Sequence, residues 1–496
     1  MTSISSRLLR QSSLYALGNI ALKASGLLLA VLYLNPTYLA VADFGYFSLL
    51  IVTSQLGIFL VGLGIGTGLL KFMADPDYRE ERNALPFTAL VATGFVAFLA
   101  LGIFWLLARP LAALMLDNVA QTRLVHLLAV YVVLKVVSAI PMMLLRVQER
   151  AGWYILAMVA EVLVLIGAAY LFIVVQGLGL TGLMMAYALS AGVGAIVLVA
   201  VMLMYIPWRF EWRLVQVLIA FGMPLVVASF AGWFLNAGDR YLLKWLTDAT
   251  TVGLYEWAAR LAGVLNMLFV QSFNLAFSVI GLKKLGTDAT DGQMHRQTLR
   301  HYVVWTGWAV LGLSFLSYDL TRLLPADPLY LQADSLVLLL ALGFMNYGVY
   351  YVIINVVYAT GRTGVISLNV LFAALLNAGL NIALIPSLGV MGASLATFVA
   401  YLALALGAAY FTKQDVHVRF PWRAFLIVVP LVVGLYWLGR PSIDWSFGLR
   451  FAARAGLVVA YPLLILLTRL YTWAEVRGVW QAARARETGR GGIFNF

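Results

Sequence analysis

The sequence predicts an all-α polytopic membrane protein of about fourteen transmembrane helices, within a range of twelve to fourteen. Three observations carry this. Of 496 residues, 63% are apolar and 11% charged, against roughly 45–50% and about 25% in soluble chains. Uncharged runs recur at 44–70, 83–108 and 335–361, each longer than the roughly 20 residues a helix needs to cross a bilayer. Finally, segments of the first half return in the second. Apolar runs of this length exclude a transmembrane β-barrel, whose strands alternate over only about 10 residues.

Spans are expected near 13–34, 44–70, 84–108, 124–145, 152–175, 179–206, 214–237, 252–281, 301–323, 333–360, 364–385, 390–411, 423–439 and 450–470. Arg7 and Arg10 precede the first, and Ala40-Val41-Ala42 imitates a signal-peptide cleavage site. The apolar run Leu14–Leu34 nevertheless exceeds the usual core of about 7–15 residues and contains Lys23, so it is expected to stay as a span. Residues 162–208 and 363–412 are hairpins, turning at Gly177-Leu178-Gly179 and Pro386-Ser387-Leu388-Gly389. The second span, 44–70, is expected to end within "GLGIGTGLLKF" (62–72), where Gly64 and Gly68 put glycine on a second face and let the helix end flex or pack on two neighbours. Those glycines fit neither the dinucleotide nor the phosphate-loop spacing. Gly62 and Gly66 instead give the small-xxx-small pattern of close helix packing.

Basic residues orient the chain, because cytoplasmic loops are rich in them. The N-terminus and every second loop hold 22 of the 33 Lys and Arg, and the opposite loops hold 8. Both termini are therefore expected in the cytoplasm. The net charge of +12 reads as orientation and contact with anionic lipid heads rather than nucleic-acid binding, since it is dispersed. No loop is long enough for an appended catalytic domain. Cysteine is absent and the four histidines are scattered, so no thiol chemistry, metal or cofactor is expected. The acidic pair in "DPD" (75–77) reads as a solvated turn beside Arg79 and Arg82.

The repeat has a steady offset. "DFGYFSLL" (43–50) returns as "TVGLYEWA" (251–258), and "LGLTGLMMAYALS" (178–190) as "LGVMGASLATFVA" (388–400). "RAGW" (150–153) returns as "RTGV" (362–365). Six spans separate the copies, so the repeat is parallel, a transporter architecture in which substrate sites lie between halves. The expected organisation is a six-helix lobe at 1–206, a second at 207–412, two further helices at 413–470 and a basic cytoplasmic tail at 471–496.

Charges inside spans cost about 2.5–3.5 kcal/mol each on insertion scales and mark functional positions. Those placed inside are Lys23, Lys135 and Arg260 against Glu161 and Glu256, with no aspartate counted among them. Lys23 continues a stripe from Tyr15 and Asn19, and Lys135 one from Tyr131. The eighth span carries the longest stripe: Glu256, Arg260, Gly263, Met267, Gln271, Asn274 and Ser278. Each charge also has a plain structural reading. Glu256 and Arg260 can neutralise one another four residues apart, and Lys23 or Lys135 can bridge to Glu161. The basic excess suits an anionic cargo, and a diphosphate is a good candidate.

"SSLYALGNIALKASGLLLAVLYL", "DFGYFSLL", "GLGIGTGLLKF" and "GDRYLLKWLTDATTVGLYEWAARLAGVLNML" together resemble the polysaccharide-transporter family. These are the O-antigen-type flippases of the superfamily that includes multidrug exporters and the peptidoglycan lipid flippase. The resemblance covers most of 10–412. It implies two six-helix lobes in a V around a central cavity. It also implies a cargo of undecaprenyl-diphosphate-linked oligosaccharide, moved to the periplasmic leaflet of a bacterial inner membrane for O-antigen, capsule or exopolysaccharide synthesis. By the same resemblance the cavity residues are Lys23, Lys71, Arg240 and Arg260, with Asp239 in the matching segment. Lys135 and Glu161 are added from burial, Glu256 as a charge partner, and Asn19, Gln271 and Asn274 as polar lining. The expected partners are the lipid-linked cargo, membrane lipids and the polymerase and chain-length machinery, with the chain working as a monomer. A multidrug antiporter, a membrane glycan polymerase or glycosyltransferase, and a scaffold protein stay open as alternatives. Gly222-Met223-Pro224 and Pro141 are candidate hinges or static kinks.

Overall fold

The computed structural model describes residues 26, 28–274, 277, 293–359, 362–412 and 420–471. Among these the chain is helical, without a strand, and twelve helices are long and apolar enough to cross a membrane. They are Val41–Gly62, Leu85–Leu106, Val119–Val147, Ala151–Val175, Gly179–Tyr205, Trp212–Ala237, His295–Leu323, Pro328–Asn355, Gly364–Leu388, Val390–Phe411, Trp422–Asp444 and Phe447–Leu467. The expected first span lies mostly outside the described residues, as do Asn19 and Lys23. The expected eighth is the helix Ala249–Leu265 followed by the π-helical segment Asn266–Gln271. Contacts gather the chain into two compact units. One comprises the described residues of Met1–Arg260, Thr321–Ala333 and Val370–Ala396. The other comprises those of Leu261–Leu320, Asp334–Asn369 and Thr397–Phe496.

In the first unit the repeated segments touch one another. A Cβ added at Gly45 would lie 1.9 Å from the Ala249 carbonyl oxygen, and one at Gly253 would lie 2.3 Å from the Val41 carbonyl oxygen. Val41 and Ala249, like Gly45 and Gly253, are repeat equivalents, so the contact is reciprocal, as across a two-fold axis. Only glycine lets the two backbones approach this closely. The hairpins match as well. Gly179 and Gly389 both take a left-handed turn, with φ of 52° and 55°. Gly182 and Gly392 then pack tightly against carbonyls of the preceding helix, those of Phe172 and Leu384.

Three local expectations need correcting. The second span is not continuous: Val41–Gly62 ends, Leu63 and Gly64 turn left-handed, and Ile65–Ala74 starts anew. The break is pressed onto the Trp212–Ala237 helix, where a Cβ at Gly222 would lie 2.0 Å from the Leu63 carbonyl oxygen. Local glycine spacing does not register such a partner. Pro386 and Ser387 lie inside the Thr363–Leu388 helix, and Gly389 alone makes the turn. Aspartates do occupy the interior: Asp319 and Asp334 are both buried. Pro141 and Pro224 each lie within a continuous helix.

Candidate functional site

The first unit gathers four charges where three helices meet. Val41–Gly62 supplies Ser48, Asp239–Leu246 supplies Asp239 and Arg240, and Ala249–Leu265 supplies Tyr255, Glu256 and Arg260. Glu256 stands at the centre. Its Oε1 accepts from Arg260 Nε at 2.8 Å, and its Oε2 accepts from Ser48 Oγ at 2.9 Å and from Arg240 Nε at 3.3 Å. Arg240 Nη1 also donates to Asp239 Oδ1 and to the Asn236 carbonyl, each at 2.9 Å. Tyr255 donates its hydroxyl to the other Asp239 oxygen. Two arginines and two carboxylates leave the cluster neutral.

Aromatic rings carry the cluster onward. The Arg260 guanidinium lies 5.2 Å from the Tyr33 ring centre, 5.1 Å from Phe44 and 5.8 Å from Phe47, within cation–π range. Arg260 Nη1 donates to the Gly26 carbonyl at 3.4 Å. The Tyr33 and Tyr187 hydroxyls are 3.3 Å apart, and Tyr131 meets Tyr187 edge-on at 5.7 Å. Tyr131 is one helical turn before Lys135, whose Nζ donates to both Glu161 oxygens at 2.9 and 3.1 Å. A tyrosine path thus joins two ion pairs.

The other expected residues lie elsewhere. Lys71 is exposed on the segment beyond the helix break, with Nζ 4.4 Å from the Phe221 ring centre. Asn274, in the second unit, accepts from Asn355 Nδ2 at 3.2 Å, and Gln271 closes the π segment that interrupts the α-helical spacing of its stripe. Lys23 and Asn19 lie outside the described residues. At "DPD" the Asp75 side chain caps the turn by accepting from the Asp77 amide.

Sequence reasoning missed a buried cluster in the second unit. Asp319 Oδ1 accepts from Arg450 Nε at 2.8 Å and lies 2.6 Å from Arg450 Nη2, while Oδ2 lies 3.5 Å from Arg454 Nη1. Arg450 Nη1 also donates to the carbonyls of Ile443 and Trp445, and Arg454 Nη1 to that of Phe315. The spacing of Arg450 and Arg454, four apart inside an expected span, was the available signal.

Twelve apolar spans among the described residues, buried ion pairs and parallel repeats define a polytopic membrane fold. The solved structures it resembles say which. A structure titled lipid II flippase MurJ, inward closed conformation, matches with a TM-score of 0.73 at 14% identity, covering 93% of this chain and 100% of that one. An inward-facing multidrug resistance MATE family transporter of the MOP superfamily matches with a TM-score of 0.63 at 14% identity, over 81% and 94%. The Vibrio cholerae MATE transporter VcmN in the bent form matches with a TM-score of 0.53 at 15% identity, over 88% and 99%. No curated protein matches by sequence. The family described as polysaccharide biosynthesis protein matches residues 8–277, more than half of the chain, and the chain belongs to that family.

Proposed function

We propose that the protein is a flippase that moves polyprenyl-diphosphate-linked oligosaccharides from the cytoplasmic to the outer leaflet of a bacterial inner membrane by alternating access. It would serve O-antigen, capsule or exopolysaccharide synthesis and perform no covalent chemistry itself. Residues 1–206 and 207–412 are the working halves, 413–470 an added helix pair and 471–496 a cytoplasmic tail; the chain acts as a monomer, supplying polymerase and chain-length partners. The observation that carries the reading is the buried Arg240–Glu256–Arg260 cluster in a chain of this family.

The cargo head cannot cross hydrocarbon, while its polyprenyl tail can stay there. A diphosphate arriving at the cluster competes with Glu256 for the two guanidiniums, whose donor geometry matches phosphate oxygens. Because the cluster is neutral when empty, the arginines sit in the membrane without an uncompensated charge. Lys23, four residues after Asn19 in the sequence, is assigned to the same head group, and Lys71 to its arrival from the cytoplasmic side. Lys135 with Glu161 borders the path, and Tyr33, Tyr131 and Tyr187 offer ring faces and hydroxyls to the sugars.

Surface glycan measured in cells carrying Lys23→Ala or Arg260→Ala tests the assignment. Normal insertion with glycan reduced at least about tenfold is expected, the loss of one charged contact. Full export by both variants would refute it. The second reading, efflux of organic cations, is supported by the MATE-type solved structures. It predicts drug resistance on expression and no glycan phenotype.

A further inference from the structure

A second basic site lies in the second unit, where three helix ends border a half-open cavity of about 390 Å³. Arg296 and Arg300 come from the first two turns of Gln293–Leu323, Arg423 from the start of Trp422–Gly439, and Arg469 from just beyond Phe447–Leu467. Arg300 Nη1 donates to the Leu470 carbonyl at 3.2 Å, which ties two of these ends together. At Arg469 the chain turns with φ of 56°, a conformation uncommon outside glycine. Arg296, Arg423 and Arg469 are exposed, and none of them takes part in an ion pair among the described residues.

The aromatic and apolar surroundings narrow the ligand. Trp422 lines the cavity, is half exposed, and packs 4.7 Å from the Phe420 ring. Tryptophan beside arginine at a helix end is the composition of a membrane interface. Beyond the lining residues, Leu426 on one of these helices and Leu463 and Leu467 on another are exposed. A free phosphate would use only the arginines. A lipid would use the arginines for its head and this leucine surface for its chains. The four arginines belong to the loops that the basic-residue bias places in the cytoplasm, where pockets between helices take acidic headgroups.

We infer that this cavity is a site for the phosphate headgroup of an anionic phospholipid, separate from the Arg240–Glu256–Arg260 cluster. Two phosphates, as in a diphosphatidylglycerol, would match four guanidiniums best. The inference does not depend on the identity of the transported cargo.

Native mass spectrometry of the full-length protein in detergent tests it, with diphosphatidylglycerol, phosphatidylglycerol and phosphatidylcholine as probes. The wild type should retain the two anionic lipids and release phosphatidylcholine. Removing each charge should weaken retention about fivefold, so the triple variant Arg296→Gln, Arg423→Gln, Arg469→Gln should lose roughly 100-fold. Replacing Arg79, Arg209 and Arg213 by Gln removes the same charge elsewhere and should change little. If the triple variant does not fold, Arg423→Gln alone carries the test through its fivefold loss. Equal retention by wild type and pocket variant would overturn the inference. So would equal loss in both triple variants, or retention of phosphatidylcholine. Displacement of the lipid by equimolar inorganic diphosphate would also overturn it, making the site one for a soluble anion.

Discussion

The two buried charge clusters use the same residue types differently. Around Asp319, Arg450 and Arg454 are 1% and 5% exposed at the side chain; their donors go to one carboxylate, to backbone carbonyls and to the Ser442 hydroxyl, and the rings of Phe315, Tyr318 and Phe447 lie against them. Around Glu256, Arg240 and Arg260 are 13% and 17% exposed, the charges balance, and tyrosine and phenylalanine rings line one side. The first is a closed joint that holds Phe447–Leu467 against Gln293–Leu323. The second is more exposed, and in the proposed function it exchanges Glu256 for the cargo's diphosphate. A membrane arginine is therefore not evidence of a cargo site by itself; accessibility and the fate of its donors separate the two uses.

The largest expected effect breaks the joint. Asp319→Ala leaves two buried guanidiniums without a carboxylate and should cost about 3–5 kcal/mol, read as a lowered unfolding temperature in detergent. Transport per folded molecule should stay within about twofold of wild type. A variant as stable as wild type would show that the backbone carbonyls suffice. Glu256→Gln should cost less stability, about 1.5–3 kcal/mol for the lost charged hydrogen bonds. By releasing two arginines it should bind a polyprenyl diphosphate about tenfold tighter while moving it more slowly. Weaker binding in that variant would mean Glu256 organises the site rather than competing for it. The smallest effect concerns the repeat contact. Gly45→Ala places a methyl against the Ala249 carbonyl and should cost about 1–3 kcal/mol of overpacking, and Gly253→Ala should match it by reciprocity.

Much of this was legible in the sequence. Uncharged runs located the spans, because hydrocarbon tolerates few charges. The recurring glycines at 45 and 253 marked a repeat whose copies touch. Glu256 and Arg260 announced their pairing by helical spacing. What escaped notice depended on partners distant in the chain. Gly222 meets Leu63 and Gly64 across more than 150 residues, and nothing in either segment names the other. Asp319 finds Arg450 131 residues away. The π segment at Asn266–Gln271 alters a spacing that composition leaves looking α-helical.

In the proposed function Arg260 meets the diphosphate of a lipid-linked sugar. That contact is tested most directly by reconstituting wild type and Arg260→Gln in vesicles with a fluorescent polyprenyl-diphosphate saccharide, and following its leaflet exchange by quenching. Exchange should require the protein and fall at least about tenfold per folded molecule in Arg260→Gln, beyond the roughly 1.5–3 kcal/mol that the lost charged hydrogen bonds cost in stability. Exchange by Arg260→Gln at the wild-type rate, or wild-type vesicles no faster than empty ones, would contradict it.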